Sequence, residues 1–314
     1  MKITYTFNCN ETEQKRLLQE LRKATYNIET VPHTVIAVSI EQCRINLYKS
    51  GKLLIQGKRA KDWIEFVLEP NIFQRIEIGY DEILDPKALE PHMGIDESGK
   101  GDFFGPLVIA SAYTDEKSVA LLKEAGVQDS KRIKSDRKII SLAKEIRRIL
   151  NNQCAIITIG SKSYNRMYSK VGNVNKMLAW GHARAIENLL EITPDCPRAL
   201  SDKFGPDNRI KKALMERGKK ILLEQRTKAE SDPAVAAASI LARAGFVMAL
   251  KKMEKEFQLE IPKGASEHVR SVAEDLIEKH GPIILTQTVK CHFKTTDQVL
   301  AAKGMTRHDI PTIN

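Results

Sequence analysis

The densest group of chemically useful residues lies at positions 94–102, which read Gly-Ile-Asp-Glu-Ser-Gly-Lys-Gly-Asp. A short apolar run here ends in two adjacent carboxylates, Asp96 and Glu97. Carboxylate oxygens are the hard ligands that Mg²⁺ prefers in proteins. The pattern therefore indicates a cation site at the end of a strand. A polar hairpin turn with solvated charges explains the same residues equally well.

Two glycines flank a lysine directly after the acidic pair, in the order Gly99, Lys100, Gly101. Because glycine has no Cβ, its backbone N–H and C=O groups can approach a ligand closely. A backbone that reaches a sugar can contact the 2′-hydroxyl, the group that separates RNA from DNA. The turn is therefore a candidate site for ribose recognition.

Two further aspartates stand at the ends of expected elements. Asp202 follows the apolar stretch Arg198–Ser201, and Asp232 precedes Pro233 at the beginning of a long apolar run. Aspartate after a strand is commonly a turn residue, and aspartate before proline is a good helix N-cap. Either residue could also bind a cation, and the spacing alone does not decide between these roles.

Strands alternate with helices from residue 91 to residue 314, which predicts an α/β domain with a mixed sheet and flanking helices. The strands are expected at Gly94–Ile95, Pro106–Tyr113, Ala155–Ile159, Arg198–Ser201 and Lys220–Glu224. The helices are expected at Glu116–Ala125, Ser135–Asn152, Asn175–Leu190, Asp232–Phe257 and Ser266–His280.

Residues 1–69 have a different pattern, β-α-β-β-β-α, which predicts a small α+β domain. A hairpin turn is expected at residues 49–51, and basic side chains lie on the hairpin and on the start of the next helix. These basic residues are Arg44, Lys49, Lys52, Lys58, Arg59 and Lys61. They could contact a nucleic-acid backbone, or they could equally protect a sheet edge from aggregation. Residues 70–90 are expected to be a linker.

Composition limits the partners and the compartment. The formal net charge of +10 favours a polyanionic partner, although solubility also explains it. Five scattered cysteines without a CxxC pair argue against a disulfide framework or a thiolate zinc site. No apolar run is expected to reach the ~20 residues that span a bilayer. The first residues lack the apolar core of a signal peptide. We therefore expect a cytoplasmic protein without a membrane partner, and we expect a monomer because no feature indicates an oligomer.

The stretch Gly94–Val108 resembles the signature of type 2 ribonucleases H, and its Gly-Lys-Gly turn is closest to ribonuclease HIII. The similarity continues in order through Gln128–Lys131, Ser201–Phe204, Glu230–Arg243 and Pro262–Ala265. The resemblance implies an RNase H-like catalytic domain. It also implies that residues 1–69 form the TATA-binding-protein-like domain with which ribonuclease HIII grips substrate.

The same resemblance implies an endonuclease that hydrolyses the RNA strand of RNA/DNA hybrids and leaves 5′-phosphate and 3′-hydroxyl ends. The family's metal-binding carboxylates correspond to Asp96, Glu97, Asp202 and Asp232, which would share two Mg²⁺ ions, with Mn²⁺ as a substitute. The residues expected to contact substrate are Ser98, Gly99, Lys100, Gly101, Ser130 and Lys131. Ribonuclease HII-like incision at single ribonucleotides embedded in DNA is the alternative, but residues 261–265 lack the tyrosine segment used for it.

Overall fold

The computed structural model describes residues 4–23, 26–40, 42–74, 86–127, 130, 133–202, 208–226 and 229–310. The chain divides into two compact units, Met1–Asp85 and Pro86–Asn314. Each unit has its own five-stranded sheet and its own apolar core.

The N-terminal unit contains an antiparallel sheet with the strand order β1-β5-β4-β3-β2. Its strands are β1 (Thr4–Asn8), β2 (Asn27–Glu29), β3 (Thr34–Ile40), β4 (Cys43–Tyr48) and β5 (Lys52–Gly57). Its helices are α1 (Glu11–Lys23) and α2 (Ala60–Trp63), and a wider π-helical segment, Ile64–Phe73, continues α2. The small α+β domain expected from the sequence is confirmed.

This unit departs from the expected pattern in two places. Strand β2 was not predicted, because three residues are too few to show an alternating pattern. The π-helical segment continues past residue 69, the boundary that the sequence suggested, since Ile72 and Phe73 are buried in the same core as Leu17. Residues 75–85 of the expected linker lie outside the described part of the chain.

The C-terminal unit contains a mixed sheet with the order β10-β9-β6-β7-β8. Strand β6 pairs antiparallel with β7 and parallel with β9. The strands are β6 (His92–Ser98), β7 (Leu107–Thr114), β8 (Cys154–Ile159), β9 (Arg198–Asp202) and β10 (Leu222–Arg226). The helices are α3 (Glu116–Glu124), α4 (Asp136–Ile149), α5 (Ser161–Val171), α6 (Val174–Ile192), α7 (Asn208–Ala213), α8 (Pro233–Phe257), α9 (Glu267–His280), α10 (Ile284–Thr288) and α11 (Lys294–Ala302).

Four of these helices, α5, α7, α10 and α11, were not predicted. Helices α7 and α10 are too short to show a helical period. Helix α5 is held by tertiary contacts, because the Asn165 amide donates to the carbonyls of Thr286 (3.1 Å) and Val289 (2.8 Å). A polar anchor of this kind leaves no trace in a hydrophobic pattern.

Helix α8 packs directly on β6 and β7 and forms the centre of this unit. A Cβ built on Gly94 would lie 2.1 Å from the Val235 nitrogen, so only glycine allows the helix to approach the strand this closely. The alanine-rich α8 is long and apolar enough to cross a bilayer, contrary to the expectation from the sequence. However, 72% of its most apolar window is buried inside the protein. Burial of this extent is typical of a core helix.

All five cysteines are free thiols, which confirms the absence of a disulfide framework. Four of them are buried, and the fifth, Cys291, is half-buried with its Sγ 3.6 Å from the Leu285 carbonyl oxygen. They are packing residues.

Candidate active site

The acidic pair lies near the end of β6, and its two carboxylates have different partners. The Asp96 carboxylate accepts a hydrogen bond from the Glu97 N–H (2.8 Å) and another from the Ser239 hydroxyl on α8. The Glu97 carboxylate accepts from His182 Nε2 on α6 (3.1 Å), and Lys100 Nζ lies 3.6 Å from it. The strand end is therefore held from both neighbouring helices.

These surroundings shift the two acids in opposite directions. Burial and the negative charge of Glu97 raise the pKa of Asp96 to about 6. Burial also acts to raise the pKa of Glu97, but the hydrogen bond and charge of His182, together with Lys100, outweigh it and hold that pKa below its usual range. The end of β6 thus has an excess of negative charge that a cation would relieve.

Asp202 ends the strand next to β6. Strands β6 and β9 run parallel, with Met93 beside Ala199 and Ile95 beside Ser201. Asp96 and Asp202 are the next residues of the two strands, and neighbouring strands lie ~4.8 Å apart. The two aspartates therefore lie side by side, toward the carboxyl ends of these two strands. In the structure Asp202 Oδ1 accepts from the Ala229 N–H at 3.3 Å.

Asp232 is placed differently, as the N-cap of α8. Its Oδ1 accepts from the N–H groups of Ala234 (2.9 Å) and Val235 (3.2 Å). Both of its carboxylate oxygens also lie 3.0 Å from His92 Nε2. The carboxyl group is buried, with a residue exposure of 2%. These hydrogen bonds cap α8 and pair the carboxylate with His92.

The contacts of α8 along β6 show how far Asp232 lies from Asp96. Asp232 contacts His92, four residues before Asp96, which is roughly 13 Å along a strand. Ser239, which contacts Asp96, is seven residues further along the helix, or roughly 10 Å. Asp232 also accepts from the Val235 N–H, and Val235 lies against Gly94, two residues before Asp96. The structure therefore places Asp202 beside Asp96 and Asp232 beside the first half of β6.

The side chains as placed do not yet enclose an ion: within the described residues, no group of three or more His, Cys, Asp or Glu side chains could hold a metal. Each carboxylate is turned toward a protein donor instead. The donor set nevertheless fits a hard divalent cation, because Asp96, Glu97 and Asp202 offer only oxygen ligands at one strand edge. Burial and the charge of Glu97 raise the pKa of Asp96, so a cation bound beside Asp96 would favour its ionised form.

The glycine turn follows the acidic pair directly. Gly99 has a φ of +87°, and a Cβ there would lie 2.3 Å from the Pro106 oxygen, so this position requires glycine. Around Gly101 a Cβ would meet nothing within 4 Å, which leaves an open side where a ligand could approach the backbone. Lys100 is exposed and Ser98 is half-buried.

Ser130, expected to contact substrate, is buried and faces the acidic site. Its hydroxyl lies 2.7 Å from the Ser239 hydroxyl, and Arg243 donates to its carbonyl oxygen. Ser239 therefore connects Ser130 with Asp96. Lys131 lies outside the described part of the chain.

Three polar residues that hold these acids were missed from the sequence: His92, His182 and Ser239. His182 is fully buried and its Nδ1 lies 3.0 Å from the Ser201 hydroxyl, so it links β6 to β9. A polar residue inside an apolar helical run was the available signal. Glu230 was also passed over; it is half-buried and follows Ala229, whose N–H donates to Asp202.

Comparison with known proteins decides the family. The family model described as Ribonuclease HII matches residues 93–296, well over half of the chain. The chain belongs to the type 2 ribonuclease H family. A second model, Domain of unknown function (DUF3378), matches residues 5–71.

Among type 2 ribonucleases H, the chain is similar to proteins named Ribonuclease HIII. One from Protochlamydia amoebophila is 39% identical over 292 residues, which cover 92% of this chain and 94% of the relative. One from Chlamydia pneumoniae is 39% identical over 305 residues, which cover 96% of this chain and all of the relative (100%). These relatives identify the chain as a ribonuclease H endonuclease of the HIII type.

Solved structures confirm the expected fold class. The crystal structure of Bst-RNase HIII in complex with Mn²⁺ is 28% identical with a TM-score of 0.66, and covers 96% of this chain and 99% of that one. Aquifex aeolicus RNase H3 is 27% identical with a TM-score of 0.55, and covers 92% of this chain and 100% of that one.

Proposed function

We propose that this enzyme hydrolyses the RNA strand of RNA/DNA hybrids and leaves 5′-phosphate and 3′-hydroxyl ends. One observation carries the proposal: Asp96, near the end of β6, and Asp202, at the end of the parallel strand β9, follow in matching register, with Glu97 next to Asp96. The related Bst-RNase HIII was crystallised with Mn²⁺, which supports a divalent cation here. We expect Mg²⁺, with Mn²⁺ able to replace it.

The cation ligands in this proposal include Asp96, Glu97 and Asp202, whose side chains would turn from their present donors toward shared ions. Asp232, the fourth ligand expected from the sequence, remains the fourth ligand in this proposal. In the structure its carboxylate caps α8 and lies 3.0 Å from His92 Nε2, and it too would turn toward an ion. Glu230 is the alternative fourth ligand, since it stands beside the Ala229–Asp202 contact.

Two divalent cations at such a site supply the Lewis acidity that activates water and stabilises the departing 3′-oxygen. The protein's own residues prepare the site. His182 orients Glu97 from one side of the sheet, and Ser239 orients Asp96 from the other. Their hydrogen bonds limit the rotation of the carboxylates, which preorganises the ligands.

In this proposal the glycine turn, Gly99–Gly101, recognises the ribose. The positive φ of Gly99 fixes the bend, and the open side of Gly101 leaves room for a sugar. A backbone group there can hydrogen-bond the 2′-hydroxyl, which DNA lacks. In this proposal the hydroxyl is recognised and does not attack the phosphate.

The N-terminal unit is proposed to bind the hybrid through the sheet face opposite its helices. Polar side chains form a row across that face, where Gln56 of β5 pairs with Thr4 on one side and with Arg44 on the other. Such side chains suit sugar and phosphate contacts. We further propose a monomer that acts in the cytoplasm.

The test uses end-labelled RNA/DNA, RNA/RNA and DNA/DNA duplexes, each with Mg²⁺, Mn²⁺ or a chelator. Cleavage only of the RNA/DNA hybrid, only with metal, and with 3′-hydroxyl products supports the proposal. Cleavage of RNA/RNA at the same rate, or cleavage in chelator, contradicts it.

Two additions sharpen this assay. A DNA duplex with one embedded ribonucleotide distinguishes the ribonuclease HII-like alternative, which predicts efficient incision there. The Asp96→Asn variant should lose cleavage yet still bind the hybrid, because the phosphates are held by basic groups elsewhere. An active Asp96→Asn enzyme would remove this residue from the site.

A further inference from the structure

A lysine outside the acidic site occupies the interior of the C-terminal unit. Lys290 is fully buried. Its Nζ lies 2.9 Å from the main-chain oxygen of Asp102, 3.3 Å from that of Phe104 and 2.7 Å from that of Gly105. An ammonium group has three N–H donors, so these acceptors satisfy it completely. All three are neutral carbonyls, which distinguishes the contact from an ordinary ion pair.

Packing alone does not account for a lysine at this position. Two aromatic rings flank it, with the Tyr164 ring centroid 5.7 Å and the Phe246 ring centroid 5.9 Å from Nζ. Burial lowers the pKa of Lys290 to about 7, against the opposing charge of Asp102. A methionine would fill the same space without the cost of removing a charge from water.

The three carbonyls belong to the segment 102–105, which leads from the glycine turn into β7. Carbonyl dipoles that converge on one point repel each other, and the positive Nζ offsets this repulsion. The backbone reinforces the contact: Lys290 N–H donates to the Phe103 oxygen (2.8 Å), and Gly105 N–H donates to the Thr288 oxygen (2.9 Å). Segment 102–105 is therefore fixed from one side by residues 288–290.

Fixing this segment also fixes the glycine turn. Asp102 follows Gly101 in the chain, and its N–H donates back to the Gly99 oxygen at 3.4 Å, which closes the turn. The Asp102 carbonyl and the Gly101–Asp102 peptide group are joined through the Asp102 Cα, so releasing that carbonyl loosens the restraint on the peptide group next to Gly101. Hydrogen bonds depend steeply on direction, so a small rotation weakens any bond to a 2′-hydroxyl.

We propose that Lys290 is a positioning residue for ribose recognition, whose ammonium group holds the carbonyls of segment 102–105 and thereby the Gly99–Gly101 turn. The proposal rests on the proposed function and deepens it, because it places part of the discrimination between RNA and DNA outside the turn itself. Lys290 does not touch the reacting atoms.

The test is a coupling measurement between Lys290 and the 2′-hydroxyl. kcat and KM are measured on an RNA/DNA hybrid and on the same hybrid with a 2′-fluoro RNA strand, which cannot donate a hydrogen bond at the 2′ position. The ratio of kcat/KM for the two substrates reports ribose recognition. The proteins are wild type, Lys290→Met, which removes all donors, and Lys290→Gln, which keeps two.

A stability-matched control separates positioning from general weakening of the fold. Leu276→Ala removes a fully buried side chain from α9, outside the segment 99–105. It should lower the Tm without touching the turn. Circular dichroism confirms at the assay temperature that each variant is folded.

We expect the kcat/KM of Lys290→Met on the RNA strand to fall about tenfold, which corresponds to the loss of one well-placed hydrogen bond. On the 2′-fluoro strand we expect a much smaller fall in kcat/KM. The ratio should fall from wild type through Lys290→Gln to Lys290→Met, and Leu276→Ala should keep the wild-type ratio. A wild-type ratio in folded Lys290→Met overturns the proposal, and so does an equal fall in Leu276→Ala.

Two remaining outcomes are also decisive. If Lys290→Met does not fold, a wild-type ratio in Lys290→Gln overturns the positioning role, and a lowered ratio supports it. If wild-type enzyme does not cleave the hybrid at all, the proposed function fails first, and this is seen before any variant is compared.

Discussion

Asp232 and Glu230 lie two residues apart, and replacing each by its amide tests which of them is a metal ligand. Asp232 caps α8 and contacts His92, with every visible bond inside the protein. Glu230 is half-buried on the turn that contacts Asp202. We predict that Asp232→Asn both weakens the fold and impairs metal-dependent cleavage, and that Glu230→Gln does neither.

The structure sets the size of the Asp232→Asn effect. Asparagine is as good an N-cap as aspartate, so the bonds to Ala234 and Val235 survive. The lost interaction is the charged hydrogen bond to His92, worth about 2 kcal/mol for a bond to a charged group. For a unit of this size, that loss lowers the Tm by roughly 4–8 °C. Asp232→Ala also loses the cap, and breaking a buried pair costs about 3–5 kcal/mol.

Glu230→Gln should leave the Tm nearly unchanged, because substitutions at partly exposed positions usually stay within about 0.5 kcal/mol. The effect of Asp232→Asn should also appear in the metal dependence. An amide oxygen carries no charge and binds a divalent cation more weakly than a carboxylate. We therefore expect a lower kcat and a higher Mg²⁺ or Mn²⁺ concentration for half-maximal cleavage.

The assay combines thermal unfolding with metal titrations of hybrid cleavage, at a temperature where both variants are folded. An Asp232→Asn enzyme that responds to metal like wild type would show that Asp232 is only a helix cap, and the proposed ligand set would be wrong. If only Glu230→Gln needs a higher metal concentration, Glu230 is the fourth ligand instead.

Four further predictions concern three residues of the C-terminal unit and the N-terminal unit as a whole. His182→Ala frees Glu97 to rotate and should raise the metal concentration needed for half-maximal cleavage roughly 10–100-fold. An unchanged metal titration would contradict the role of His182 in orienting Glu97. Gly94→Ala places a Cβ 2.1 Å from the α8 backbone and should lower the free energy of unfolding by about 1–3 kcal/mol or more. Gly101→Ala should have the wild-type free energy of unfolding but should cleave the hybrid more slowly. Removal of residues 1–73 should raise the Kd for the hybrid far more than it lowers the rate at saturating substrate; equal affinity of the truncated enzyme would exclude the binding role of the N-terminal unit.

Local pattern was sufficient for the elements that are long or strongly periodic. The two-unit organisation, the mixed sheet and the long helix α8 follow from apolar periodicity, which depends only on residues near in the chain. The same holds for the motif at residues 94–102, because a strand that ends in Asp96 and Glu97 before a glycine turn is contiguous in sequence. The resemblance to ribonuclease HIII rested on such contiguous stretches.

The partners of the acids could not be read in this way. His182 and Ser201 are close only because α6 packs on the sheet, and Ser239 reaches Asp96 only because Gly94 lets α8 lie against β6. These contacts join residues that are 19 or more positions apart. Short helices such as α7 and α10 were missed for a related reason, since tertiary packing stabilises them and their own pattern does not.

The sequence by itself determined which carboxylates this protein has and that two of them are adjacent before a glycine turn. Tertiary structure decided which others join them. Sequence placed Asp202 and Asp232 on equal terms, and each had a local explanation as a turn or cap residue. Strand register brings Asp202 beside Asp96, and the packing of α8 on β6 places Asp232 beside His92 and Gly94. Register and helix direction are set by packing between distant segments, and no local spacing rule encodes them.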